Sequence, residues 1–207
     1  MRFLLQHGRL TSNSKGESPS FQVHKGKFVH FYAFGLVYLY CLCSRAPSIT
    51  WKVLLTLQLA RRLLESIFLF AYSPSSKMHI LHYFVGISYY PVLVECVARA
   101  PATLHWTRIV LFLLFSMVQS HAHWTIGKAS KTKEAREKRL PLNCGLFSVL
   151  CCPHYTAEVA IYWTLCCSPL LAANALFTTL NLSVSAVQVQ QKDTSSRKKY
   201  AIIPFLL

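Results

Sequence analysis

WKVLLTLQLARRLLESIFLFAY, residues 51–72, is long and apolar enough to cross a membrane, yet its second half carries three ionisable side chains. Arg61 and Glu65 are four residues apart and Arg62 and Glu65 are three apart, so on a helix all three share one face. An ionisable side chain inside a membrane span is costly and commonly serves a function. The stretch therefore predicts a spanning helix with a polar patch.

Two interpretations of this patch are open. In the first, an intrahelical ion pair merely lowers the cost of inserting the helix into the membrane. In the second, the patch faces a cavity that holds water or an anion. Two arginines and one glutamate leave a positive charge in excess, which suits a phosphate group.

The composition also indicates a membrane protein. Of the 207 residues, 53% are apolar and 14% are charged, whereas about a quarter of the residues of a soluble domain are charged. The formal net charge is +15, but the lysines and arginines lie mostly in polar connectors, as in loops on the cytosolic side of a membrane. We therefore do not expect nucleic-acid binding, which needs a clustered basic face.

The apolar segments predict an all-α fold, a polytopic transmembrane helical bundle of about six spans. Pro169 separates the last two spans, because proline cannot donate a backbone hydrogen bond. The connector 127–139 and both tails are basic and are expected on the cytosolic side, which requires an even number of crossings between them. We divide the chain into a basic polar cytosolic tail, 1–27, and a transmembrane domain, 28–207. The predicted spans are residues 28–43, 51–72, 78–98, 104–121, 149–167 and 169–189.

A second pair of ionisable residues lies in CCPHYTAEVAIYW, residues 151–163. His154 and Glu158 are four residues apart, and Pro153 is well placed to begin a helix. One interpretation is ordinary helix-terminus electrostatics, with Glu158 in the first turn. The other is hydrogen bonding to a bound cofactor.

Neither a metal site nor a Rossmann-type nucleotide site is expected. The eight cysteines lack the C-x-x-C spacing of a zinc site and are interpreted as small apolar side chains. His121 and His123 are two residues apart, so their rings diverge on a helix, and we assign His123 to the membrane–water interface beside Trp124. The sequence contains no Gly-rich dinucleotide or phosphate-binding motif. A nucleotide site would have to be built between spans and loops.

Five segments, in order, resemble the polyprenol reductase branch of the steroid 5α-reductase family. FVHFYAFGLVY, residues 28–38, is similar to its first shared helix, and RRLLE, residues 61–65, to its RR-x-x-E helix. HWTIGKAS, residues 123–130, resembles its H-x-I-L-G segment. RLPLNCGLFSVLCCPHYTAEVAIY, residues 139–162, resembles R-I-P-x-G-D-W-F-E-x-V-S-x-P-[HN]-Y-x-x-E-x-x-I-Y. SRKKYAIIPFLL, residues 196–207, resembles the terminal R-x-R-x-A-[IL]-[IL]-P-F.

The resemblance implies an NADPH-dependent reductase, multi-pass in the endoplasmic reticulum membrane. Enzymes of this branch saturate the α-isoprene double bond of a polyprenoid lipid, polyprenol or polyprenal, in the synthesis of dolichol for protein N-glycosylation. The cofactor supplies a hydride, and the protein orients it over the alkene, excludes water and supplies a proton.

The candidate site residues combine this resemblance with the polar patch described above. In the family the P-[HN]-Y-x-x-E segment and the R-I-P arginine belong to the cofactor region. Tyr89, Tyr90 and Tyr155 are candidate proton donors. The predicted cofactor-binding residues are Arg61, Arg62, Arg139, His154, Tyr155, Glu158 and Lys199, and the predicted catalytic residues are Glu65, Tyr89 and Tyr90.

The sequence also departs from the family pattern. PLNCGLF, residues 141–147, lacks both acids of P-x-G-D-W-F-E, and SAVQVQQ, residues 185–191, stands in place of the family's E-T-H-R-W-Y. Members are usually longer at the N-terminus by one or two spans. The alternative is therefore a divergent, catalytically impaired paralogue or an N-terminally truncated fragment of the same family. A small transporter or channel would rest on the intramembrane charge alone.

Overall fold

The described part of the chain folds as a bundle of six helices with one short β-ribbon. The computed structural model describes residues 21–74, 76–131 and 144–192. A π-helical turn extends the first helix through Tyr38–Leu42, and another extends the second through Glu65–Leu69. The helices are α1 Phe28–Val37, α2 Ile49–Leu64, α3 Ile80–Ala98, α4 Trp106–Ala129, α5 Pro153–Thr164 and α6 Pro169–Lys192; the strands are β1 Gln22–His24 and β2 Lys77–His79; 3-10 turns cover Lys25–Lys27 and Gly145–Ser148.

The prediction of an all-α polytopic membrane bundle is confirmed. Three of the described helices are long and apolar enough to cross a membrane, namely α3, α4 and residues Pro169–Val187 of α6. The other three helices are shorter or more polar. For example, α5 has 12 residues and is about 18 Å long, whereas the hydrocarbon core is about 30 Å thick.

The β-ribbon and two loops define the two ends of the bundle. β1 and β2 pair antiparallel, which brings the starts of α1 and α3 to one end, called here the ribbon end. At the opposite end the indole nitrogen of Trp51 donates to the carbonyl oxygen of Pro101 over 2.8 Å. The helices α1 to α4 therefore alternate in direction. The ribbon also shows that Gln22–His24, from the predicted polar tail, is part of the folded unit.

The core forms around α2, because its apolar residues recur every four positions and so line one face. Trp51, Leu55 and Leu59 follow this spacing, and each is at most 1% exposed. They share one hydrophobic cluster with Leu93 and Val97 of α3. The polar end of α2 is thereby held at the ribbon end of the bundle.

The predicted break between the last two spans is confirmed. α5 begins at Pro153 and ends at Thr164, and α6 begins at Pro169. Arg108 of α4 donates to the carbonyl oxygens of Thr164 and Cys166, at 3.2 and 2.7 Å, and so satisfies carbonyl groups that the end of α5 leaves free. α5 therefore runs antiparallel to α4.

The prediction that Glu158 lies in the first turn of this helix is wrong. α5 begins at Pro153, which places Glu158 in the second turn, and the first turn contains no acidic residue. The attraction between a helix N-terminus and a negative charge falls off within the first turn. Helix-terminus electrostatics therefore does not account for Glu158.

Gly86 allows α3 to approach α1 closely. A β-carbon at this position would lie 2.3 Å from Cε2 of Phe31, whose ring is buried and has little room to move. We expect Gly86→Ala to lower the free energy of unfolding by about 1–3 kcal/mol, the range for overpacking a core. The measurement is the thermal unfolding midpoint of the purified protein in detergent. The control is Val92→Ala on the exposed face of α3, and equal midpoints for the two variants would contradict the close approach.

Candidate functional site

A polar cluster lies near the ribbon end, where α2 meets α4. It is called here the arginine cluster, and its donors and acceptors come from both helices. α2 and the π-helical turn after it contribute two arginines and a glutamate. α4 contributes an adjacent glutamine and serine and, about one turn later, a histidine. The members are Arg61, Arg62 and Glu65 with Gln119, Ser120 and His123.

Glu65 is the centre of the arginine cluster. Its carboxylate accepts hydrogen bonds from Nη1 of Arg61 at 2.8 Å and Nη1 of Arg62 at 3.0 Å, as the spacing predicted. The hydroxyl of Ser120 and Nδ1 of His123 donate to the same carboxylate from α4, at 3.0 and 2.7 Å. With so many donors around it, Glu65 is held as a carboxylate that accepts hydrogen bonds.

Arg61 is committed to partners within the protein. Its Nη1 donates to Glu65 and to the hydroxyl of Ser120, at 2.8 and 3.1 Å. Its Nη2 donates to the side-chain oxygens of Gln58, at 2.8 Å, and Gln119. Each terminal nitrogen carries two hydrogens, so only the Nε donor of Arg61 has no partner among the described residues. Arg61 therefore serves chiefly to link α2 to α4.

Arg62, in contrast, keeps hydrogen-bond donors in reserve. Its Nη1 contacts Glu65 and the ring of His123, and its Nη2 donates to the hydroxyl of Tyr32 at 2.8 Å. The guanidinium carbon lies 5.2 Å from the centre of the Tyr32 ring, within the range of a cation–π contact. Nε of Arg62 is buried and has no partner among the described residues. A planar donor group is therefore available beside the cluster.

The assignment of His123 to the membrane–water interface is wrong. His123 is 2% exposed, whereas the neighbouring Trp124 is 54% exposed. Adjacent helical residues point about 100° apart, so only one of them can face the interior. The sequence signal was present, since Gln119 and His123 are four residues apart and the resemblance to H-x-I-L-G begins at His123.

α5 brings two further polar side chains to this region. The ring of His154 lies 5.6 Å from that of His123 and 4.2 Å from that of Tyr155. Nδ1 of His154 is buried without a partner among the described residues. Glu158 follows His154 by four residues on α5, and no hydrogen bond joins it to another described residue. His154 therefore lies against His123 of the arginine cluster, and Glu158 is about one turn further along α5.

The two predicted catalytic tyrosines of α3 point to different neighbours. Tyr90 is buried, and the centre of its ring lies 5.4 Å from that of Tyr32, which in turn binds Arg62. Tyr89 turns away and donates to Oδ1 of Asn174 on α6 at 3.0 Å. Tyr90 therefore belongs with the arginine cluster, and Tyr89 belongs to a separate polar group.

Two other predicted site residues, Arg139 and Lys199, lie outside the described residues, so their roles stay predictions. Most of the basic connector 127–139 and the terminal AIIPF motif also lie outside the described residues.

The residues present fit an anionic ligand that also carries hydrogen-bond donors. Arg61, Arg62 and Glu65 together leave one positive charge in excess, which suits phosphate. The unpaired carboxylate of Glu158 suits a hydroxyl or amide donor, as acidic side chains do for ribose in other nucleotide sites. The unpartnered nitrogens of Arg62 and His154 are otherwise costly to bury. These features fit a ligand that carries a phosphate together with hydroxyl or amide groups.

We expect Glu65→Gln to lower the free energy of unfolding by about 3–5 kcal/mol, because it leaves two largely buried guanidinium groups without their carboxylate. Chemical denaturation of the purified protein in detergent measures this loss. Glu95→Gln is the matched control, since Glu95 also pairs with an arginine four residues away, but that arginine, Arg99, is 52% exposed. Similar losses in the two variants would contradict a special role for Glu65.

Comparisons with known proteins give a family match and several similar relatives. The family model described as 3-oxo-5-alpha-steroid 4-dehydrogenase matches residues 79–207. The polyprenal reductase of Saccharomyces cerevisiae is 31% identical over 231 residues, covering 98% of this chain and 85% of the yeast protein. Polyprenal reductase 1 of Oryza sativa subsp. indica is 29% identical over 209 residues, covering 74% of this chain and 57% of the rice protein. The polyprenal reductase of Caenorhabditis elegans is 26% identical, covering 78% of this chain and 70% of its own length.

The chain thus spans little more than half the length of the rice relative. The family match nevertheless covers more than half of the chain, including α3 to α6. All three of these relatives are named polyprenal reductases. The chain belongs to the 3-oxo-5-alpha-steroid 4-dehydrogenase family, an oxidoreductase family, and its relatives place it in the polyprenol reductase branch.

Proposed function

We propose that this chain is an NADPH-dependent reductase that saturates the α-isoprene double bond of a polyprenoid lipid, polyprenol or polyprenal. We propose further that it acts in the endoplasmic reticulum membrane, on the route to dolichol for protein N-glycosylation. The observation that carries the proposal is the set of unpaired polar groups around Arg62, inside a bundle of membrane-crossing helices. The similarity to polyprenal reductases supports the choice of substrate.

The cofactor would be held by residues from α2 and α5. Arg62 would bind a phosphate through its spare donors, and Glu158 and His154 would bind hydroxyl or amide groups of the nucleotide. Arg61 contributes charge and keeps Glu65 and α4 in place. Arg139, Tyr155 and Lys199 complete the proposed binding set. When bound, NADPH supplies the hydride for the double bond.

Residues of the chain itself would hold the binding groups in place and supply a proton. The carboxylate of Glu65 is occupied by hydrogen-bond donors, so we assign it to holding Arg62 and His123 in place. Tyr90 is the better proton donor of the α3 pair, because it is buried and contacts Tyr32, the partner of Arg62.

A catalytically impaired relative is the second candidate. It is favoured by the segment before α5, where the 3-10 turn Gly145–Ser148 contains no acid in place of the family's D-W-F-E. Such a protein would keep the bundle and the arginine cluster but would not turn over substrate. The two candidates therefore differ in activity and not in fold.

Complementation separates these two candidates. We expect expression of this chain in cells lacking polyprenol reductase to raise the ratio of dolichol to polyprenol, measured by mass spectrometry of extracted lipids. Membrane insertion and expression level are checked by fractionation and immunoblotting. An unchanged ratio with the protein well expressed in the membrane would rule out the reductase and favour the impaired relative.

Cofactor binding gives a test at the residue level. We expect Arg62→Lys to weaken NADPH binding by about tenfold or more, because lysine keeps the charge but loses the planar fork of donors. Titration of NADPH fluorescence against the purified protein measures the affinity. Arg108→Lys is the control, since Arg108 binds backbone carbonyls at the opposite end of α4. Equal affinity in wild type and Arg62→Lys would remove Arg62 from the cofactor site.

A further inference from the structure

A second polar group lies within the bundle, between α3 and α6. The hydroxyl of Tyr89 donates to Oδ1 of Asn174 at 3.0 Å and lies 2.6 Å from Oγ1 of Thr178. Thr178 also lies 3.0 Å from the backbone carbonyl oxygen of Asn174. Both α6 residues are buried, at 9% and 6% exposure. The group of Tyr89, Asn174 and Thr178 is called here the asparagine site.

The asparagine site contains donors that the protein does not use. The side-chain oxygen of Asn174 accepts a hydrogen bond from Tyr89. The amide nitrogen of Asn174 carries two hydrogens and donates to none of the described residues. Close by, the hydroxyl of Tyr162 on α5 is buried, and its ring lies 5.9 Å from that of Tyr89. Tyr89 is its polar neighbour, but the two hydroxyls do not form a hydrogen bond of good geometry. Both α3 and α6 are membrane-crossing helices, where water is not available to satisfy such groups.

We propose that the amide nitrogen of Asn174, together with the Tyr162 hydroxyl, binds the terminal oxygen of the isoprenoid substrate. This inference rests on the reductase function proposed above. Tyr89 and Thr178 are then positioning residues, because they hold the amide oxygen and so direct the two amide hydrogens to the ligand. An isoprenoid carries one oxygen on a long hydrocarbon, which matches a small polar site within an apolar bundle.

The location of the site fits this role. The ring of Tyr89 lies 5.1 Å from that of Tyr90, which contacts the Tyr32 partner of Arg62. In a prenal the oxygen is on C1 and the double bond joins C2 and C3, so the oxygen and the reacting carbons are also neighbours. Phe177 stacks on Tyr89 with its ring centre 6.2 Å away and is 45% exposed. Its ring offers the hydrocarbon tail an apolar path along α6 towards the lipid.

The chemistry gives these donors a task beyond binding. Addition of a hydride to C3 of a prenal moves negative charge through C2 and C1 onto the oxygen, and protonation of C2 then completes the reduction. Bound NADPH would supply this hydride and be left as NADP⁺, so the double bond would gain one hydride and one proton. Hydrogen-bond donors placed at the oxygen stabilise the charge as it develops.

Asn174→Leu tests the assignment, because leucine is similar in size but has no hydrogen-bond donor. The measurement is the affinity of the purified protein in detergent for a C20 prenal and for the C20 isoprenoid hydrocarbon that lacks the oxygen. We expect the wild type to prefer the aldehyde, and the variant to lose about 10- to 100-fold of that preference. Hydrocarbon affinity and NADPH affinity should not change. Asn181→Leu, on the exposed side of α6, is the matched control and should keep the preference.

A second variant covers the case in which Asn174→Leu does not fold. Thr178→Val keeps the side-chain shape and removes the hydroxyl beside Tyr89, and we expect a smaller loss of preference with an unchanged unfolding midpoint. A folded Asn174→Leu or Thr178→Val with full aldehyde preference would overturn the asparagine site and leave the reductase proposal standing. A wild type that prefers the aldehyde but does not reduce it would support the site and overturn the reductase. A wild type without any preference would overturn the site directly.

Discussion

The carboxylate of Glu65 is the group on which the interior of the bundle depends. Two arginines cannot be buried inside a helical bundle without compensation, because a guanidinium group loses its hydration there. Glu65 neutralises one of them and binds both, and through Ser120 and His123 it also ties α2 to α4. Arg62 then reaches Tyr32 on α1. One carboxylate thereby links three helices and sets where the remaining donors of Arg62 point.

The tyrosine pair of α3 connects the two polar regions of the protein. Tyr89 and Tyr90 are adjacent, so their side chains leave the helix about 100° apart. One contacts the arginine cluster through Tyr32, and the other contacts Asn174 on α6. In the proposals above, the nucleotide would lie near Arg62 and the isoprenoid oxygen near α6. Two adjacent residues of one helix would then separate the two ligands.

Several features of the structure follow from residue spacing. The ion pairs of Glu65 with Arg61 and Arg62 depend only on helical periodicity, so the sequence predicted them correctly. Pro153 and Pro169 begin helices because proline tolerates only the first turn. The helix start at Pro153 was predicted correctly, but the position of Glu158 within that helix was not. Glu158 lies in the second turn, one turn too far for attraction to the helix N-terminus.

Other features depend on contacts between helices and could not be read from spacing. Trp124 and His121, which flank His123 in the sequence, are both exposed. Only the packing of α4 against α2 shows that His123 is the buried residue. Arg61 and Arg62 look equivalent in the sequence. They differ because Gln58, Gln119 and Ser120 consume the donors of Arg61 and leave those of Arg62. Asn174 carried no signal at all, since its partner is 85 residues away on α3.

The sequence by itself determined that this is an α-helical membrane protein, because hydrophobicity, charge placement and proline positions act locally along the chain. The ordered motifs also identified the family. The tertiary structure alone decided which polar side chains are paired and which are left to bind something else, because hydrogen bonds between helices join residues that are far apart in the chain. That distinction separates Arg62 from Arg61 and leaves the amide nitrogen of Asn174 without a partner among the described residues.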